Sequence, residues 1–159
     1  MSTYITYSPN QTFDLGRKLA KKLLKQEPLK RGAFVLALQG ELGSGKTTFL
    51  QGFAKGLGIK EKITSPTFVI MKKFKIPSKK NKTGSKYEFF YHLDCYRLEK
   101  PKELYALGWK EIVGNRYNIV AVEWAERIRH LVPKSSLWIK FLLKRKNERK
   151  IVTGHNSIL

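Results

Sequence analysis

Phe34-Val35-Leu36-Ala37-Leu38-Gln39-Gly40-Glu41-Leu42-Gly43-Ser44-Gly45-Lys46-Thr47-Thr48-Phe49 joins an apolar run to a glycine-rich turn and the opening of a helix. The run reads as a strand buried on both faces. The turn has the spacing G-x-x-x-x-G-K-[ST] of a phosphate-binding loop. Glycines let the backbone curl so that successive N–H groups point at phosphate oxygens with no Cβ in the way. The helix behind them adds its free N–H groups and the positive end of its dipole. Lys46 reaches for the β- and γ-phosphates, and the Thr47 hydroxyl is placed to ligate Mg²⁺. The expected nucleotide contacts are Glu41, Gly43, Ser44, Gly45, Lys46, Thr47 and Thr48, with Lys46 also catalytic.

Outward from this stretch, the 159 residues are enough for one domain with a proper core and too few for two. One domain spanning 1–159 is therefore expected. No apolar run approaches the length of a membrane span, and the first residues lack the apolar core of a signal peptide. A cytoplasmic protein with no membrane contact is the expectation. The lone cysteine, Cys95, excludes an internal disulfide framework and a cysteine-rich zinc site. Lysine and arginine total 32 against 12 acidic residues, a net charge of +20. Such a balance favours polyanions such as RNA as neighbours, although lysines scattered along the whole chain also fit a plain compositional bias.

In order, residues 3–7 are β-prone and suit an edge strand. Ser8, Pro9 and Gln11 then match N-cap, N1 and N3 of a capping box, opening an amphipathic helix with lysines on its outer face. After the loop a helix covers 46–57 and closes at Gly56 or Gly58. Strands are expected at 68–76 and 87–93, joined by a polar, basic connection over 77–86. They form a hairpin, so the sheet is not all parallel. Two short helices, 101–107 and 109–113, break at Gly108. A buried strand over 118–122 ends at Glu123, and a last hairpin turns near Lys146-Asn147. The fold expected is α/β: a P-loop NTPase-like domain with a mixed parallel and antiparallel sheet flanked by helices.

A phosphate loop binds nucleotide, but hydrolysis also needs acids near Mg²⁺ and near water. In such folds they stand at the C-terminal ends of neighbouring strands. Glu123 and Asp94 both have that placement. Glu123 is the better acid for the metal side and Asp94 for positioning or deprotonating water, with the reverse assignment left open. Thr67, after Ser65-Pro66, suits a switch that senses the γ-phosphate, and equally a plain turn. Trp124 follows Glu123 and belongs either near the nucleotide or in the core. His92, His130 and His155 are separated, form no metal set and read as structural. Cys95 reads as a small apolar filler. Asp94-Cys95-Tyr96-Arg97 lacks the glycine of a GTPase switch, and Asn81-Lys82-Thr83-Gly84 has glycine where a guanine-reading motif carries aspartate, so ATP is preferred to GTP.

Taken together, Gly40 to Phe49, Ser65-Pro66-Thr67-Phe68, His92-Leu93-Asp94-Cys95-Tyr96-Arg97-Leu98 and Glu123-Trp124-Ala125-Glu126 resemble, in content and order, the TsaE family of ATPases. The resemblance covers about 8–133. It implies an ATP- and Mg²⁺-dependent ATPase for bacterial tRNA threonylcarbamoyladenosine biosynthesis. It also implies action with the TsaD–TsaB pair, which hydrolysis would allow to turn over repeatedly. By motif it implies Lys46 and Thr47 on phosphate and metal, Glu123 on the metal side, Asp94 as catalytic aspartate and Thr67 in a switch loop. Ser44 stands where alanine is common, and the basic loop 77–86 looks longer than usual. Contact with tRNA is expected through the complex. Two other readings compete: a P-loop small-molecule kinase, for which Arg127 and Arg129 are the only nearby lid arginines, and a nucleic-acid-binding module, for which there is charge but no base-reading motif.

Overall fold

The computed structural model describes residues 1–64, 70–77, 86–100 and 102–154. Thr67 with Ser65-Pro66, the expected strand start at Phe68, and Lys79, Lys80 and Lys82 of the basic connection lie outside these. Among the described residues seven strands form one sheet in the order β1-β7-β6-β2-β5-β4-β3. They are β1 (Ser2–Thr6), β2 (Phe34–Gln39), β3 (Met71–Lys75), β4 (Phe89–Asp94), β5 (Asn118–Glu123), β6 (Leu137–Arg145) and β7 (Glu148–Thr153). The four central strands β6, β2, β5 and β4 run parallel, and β3, β7 and β1 join antiparallel at the flanks. The mixed sheet, the β3–β4 hairpin and the edge position of β1 are as the residues imply.

Parallel strands are covered on both faces, which is why β2 and β5 are apolar almost throughout. Alternation sends Phe34, Leu36 and Leu38 to one core with Phe49 and Phe53, and Val35 and Ala37 to a second with Leu104, Trp109 and Ile112. The first core lies under α1 (Pro9–Leu23) and α2 (Lys46–Gly56). The second lies under α3 (Lys102–Ala106) and α4 (Trp109–Gly114), separated by Gly108 at φ 78°.

Local chemistry sets the ends of these helices. Ser8 caps α1, its Oγ accepting the Gln11 N–H at 3.2 Å, with Pro9 in the first turn. The Gln11 side chain accepts from the Tyr7 N–H at 2.6 Å, one residue earlier than a capping box would have it. α2 ends in a Schellman turn: Ile59 N–H donates to Ala54 O and Gly58 N–H to Lys55 O, with Gly58 at φ 84°. Gly56 is instead inside the helix, where a Cβ would come within 2.6 Å of Arg17 O. Gly16 and Gly52 mark where α1 and α2 touch; a Cβ would stand 2.1 Å from Phe49 O at the first and 1.8 Å from Phe13 O at the second. This contact seats α2, and with it the phosphate loop, at the C-terminal end of β2.

Candidate nucleotide site

The loop after β2 turns through left-handed backbone at Gly43 (φ 73°) and Gly45 (φ 101°). Gly45 is the N-cap of α2 and offers no side-chain hydrogen bond, so the first N–H groups of the helix are left to a ligand or water. Gly43, Ser44, Gly45, Lys46, Thr47 and Thr48 line a cleft of about 250 Å³ that also takes in Asp94 and Glu123. Glu41 contributes differently from the other expected contacts: its carbonyl accepts from Lys46, but the residue is exposed and does not line the cleft.

Lys46 is only 4% exposed. Its Nζ donates to Gly40 O at 2.7 Å and Glu41 O at 3.0 Å, and stands 4.0 Å from the centre of the Trp124 ring. Burial pulls its pKa below the ordinary lysine value, and Glu123, Glu126 and Asp94 oppose that shift. Next to it, Thr47 Oγ1 lies 2.9 and 3.1 Å from the two carboxylate oxygens of Glu123, as donor. Glu123 is 2% exposed at the end of β5, and His92 Nε2 is 2.9 Å from its Oε1.

Asp94 ends β4 directly beside Glu123 in the parallel register. Its Oδ1 accepts the Tyr96 N–H at 2.9 Å, which turns the chain sharply after the strand. Tyr96 and Trp124 pack with ring centres 4.9 Å apart, at φ 58° for Trp124, and both line the cleft. Trp124 is the one non-glycine residue with positive φ among those described. Such a conformation costs on the order of 1–3 kcal/mol and persists only where surrounding contacts enforce it. Here the Lys46 ammonium and the Tyr96 ring hold the half-buried indole at the cleft, where it also packs against the second core.

Arg149 was not singled out by its sequence. It reaches over from β7, its Nη2 3.5 Å from Gly43 O, and closes the cleft with Pro9 and Thr12. Nothing local signals this, because the hairpin meets the loop only through the sheet order. His92 had a signal: it lies two residues before Asp94 on a strand, and alternation puts both on one face. Arg127 and Arg129 are not brought to the cleft. Arg127 donates to Leu98 O at 3.4 Å, and Arg129 donates to Gln39 Oε1 at 3.1 Å while stacking on Trp138. Cys95 is fully buried, and burial with help from Asp94 pushes its thiol up to about 12, as suits a core filler.

Among the described residues no three His, Cys, Asp or Glu side chains are grouped to hold a metal by themselves. A hydroxyl and a carboxylate converging beside a phosphate loop do suit a hard cation that takes its remaining oxygens from phosphate and water. No helix among the described residues is long and apolar enough to cross a membrane.

Comparison with known proteins gives one family. The model of the family described as "Threonylcarbamoyl adenosine biosynthesis protein TsaE" matches residues 6–151. A Haemophilus influenzae protein named "tRNA threonylcarbamoyladenosine biosynthesis protein TsaE" is 31% identical over 141 residues, covering 87% of this chain and 82% of that protein. A Nostoc protein of the same name is 41% identical, covering 76% of this chain and 68% of its own. The crystal structure of Bacillus subtilis YdiB superposes with a TM-score of 0.62 at 30% identity, covering 94% of this chain and 82% of that one.

Proposed function

Since the chain belongs to the TsaE family, we propose that it is a Mg²⁺-dependent P-loop ATPase domain serving tRNA threonylcarbamoyladenosine biosynthesis together with the TsaD–TsaB pair. The observation that carries the reading is the Thr47–Glu123 contact, in which the loop's hydroxyl meets a buried carboxylate from the adjacent strand. ATP would lay its phosphates along Gly43 to Thr48, on backbone N–H groups and the Lys46 ammonium. Lys46 then exchanges its carbonyl contacts at Gly40 and Glu41 for phosphate oxygens. Thr47 and Glu123 would hold Mg²⁺, which when bound neutralises charge developing on the phosphates.

Asp94 stands on the neighbouring strand end, where it can orient water for attack on the γ-phosphate and accept its proton. Arg149 adds a second cation at the loop. Thr67 keeps its proposed place as a switch responding to the γ-phosphate. The engagement of Arg127 and Arg129 elsewhere favours hydrolysis over kinase-type transfer under an arginine lid. Phosphate release measured with and without TsaD–TsaB tests the assignment. Release that depends on Mg²⁺ and rises with the pair supports it. Release that requires a small-molecule hydroxyl acceptor would favour the kinase reading.

A further inference from the structure

One buried side chain touches the metal-side carboxylate and has no part in the steps above. His92 is fully buried on β4, does not line the cleft, and faces Glu123 across the β4–β5 pair. Its Nε2 is 2.9 Å from Glu123 Oε1, while its Nδ1 is buried with no hydrogen-bond partner among the described residues. An ionised carboxylate only accepts, so Nε2 carries the proton.

Among the described residues Glu123 therefore has two side-chain partners, the Thr47 hydroxyl and the His92 ring. If Thr47 binds a cation it does so through an oxygen lone pair, so its donation to the two Glu123 oxygens has to re-aim. The His92 bond comes from a different strand and is untouched by that change. We propose that His92 is a positioning residue, whose Nε2–H fixes the Glu123 carboxylate toward Thr47 and so sets how tightly the site takes a divalent cation. This rests on the reading of Thr47 and Glu123 as the cation's protein ligands. Hydrogen-bond partners one step behind a metal ligand typically contribute about 10–100-fold in affinity.

The test uses the whole chain with ADP and Mn²⁺ as probes. His92→Leu keeps bulk and removes the donor; His92→Gln returns an amide N–H to about the same place. Mn²⁺ affinity of the ADP-bound protein is read by electron paramagnetic resonance, and ADP affinity is read separately in EDTA. His92→Leu should weaken Mn²⁺ roughly 10–100-fold while leaving metal-free ADP affinity within about two-fold, and His92→Gln should recover most of the loss. Unchanged Mn²⁺ affinity in His92→Leu overturns the proposal alone. A wild-type protein that binds ADP but no Mn²⁺ overturns the cation site with it. Nitrogen NMR of the wild-type ring needs no variant to fold: a proton on Nε2 is expected, and a proton on Nδ1 instead overturns the proposal.

Discussion

Asp94 and Glu123 are neighbours in register, yet their surroundings differ. Both line the cleft, but Glu123 is almost wholly buried against Thr47 and His92, whereas Asp94 is half-buried and accepts a backbone N–H at the turn. Asp94→Asn should lower turnover by roughly 100-fold or more while sparing ATP binding, because a positioned base typically contributes 10²–10⁴-fold. Glu123→Gln should instead raise the Mg²⁺ concentration needed for half-maximal activity. Steady-state assays across a Mg²⁺ series, with ATP binding measured in parallel, separate the two; the opposite pattern means the roles are exchanged. Both acids, the lysine and the threonine were legible in the sequence because strand ends and the loop motif place them. His92 read as structural: alternation puts it on the face of Asp94, but only the strand order shows that its neighbour there is Glu123. Arg149 was illegible because its partner lies 106 residues away.

Helices show the same division between local and distant information. The Ser8 cap and the glycine close of α2 follow from local chemistry and were readable, with Gly58 rather than Gly56 ending the helix. What Gly16 and Gly52 do was not readable, because it depends on which helix lies opposite. A methyl at Gly52 would meet Phe13 O at 1.8 Å, backbone that cannot swing aside. Gly52→Ala should therefore destabilise despite alanine's better helix propensity, by roughly 1–3 kcal/mol of overpacking. At the end of α4, Gly114→Ala meets nothing within 4 Å and should leave the melting temperature unchanged or slightly raised. Thermal denaturation of both variants checks the pair. Equal melting temperatures would mean that α1 and α2 do not pack as closely as described.

At the scale of the molecule, the sheet order gathers the C-terminal ends of β2, β5 and β4 around one cleft. A mixed sheet and two hairpins could be read from alternation and turns. The insertion of β6 beside β2, and the return of β1 onto β7, could not, because non-local pairing leaves no mark on either segment. Charge is the other whole-molecule property. Lys18, Lys21 and Lys22 on α1, with Lys25 just past its end, form an exposed stripe within a chain of net charge +20. Any binding of tRNA by the isolated protein should be sequence-blind and weaken steeply with salt. Changing these four lysines to glutamine should reduce the log–log salt slope by at most roughly three to four units. Affinity at several salt concentrations measures it, and an unchanged slope makes the stripe a solvated face. Binding of ATP for hydrolysis by the loop is tested by phosphate release from wild type and Lys46→Ala, assayed with Mg²⁺ and TsaD–TsaB. Hydrolysis should be lost in the variant at an unchanged melting temperature; near-wild-type release by a folded Lys46→Ala protein rules the assignment out.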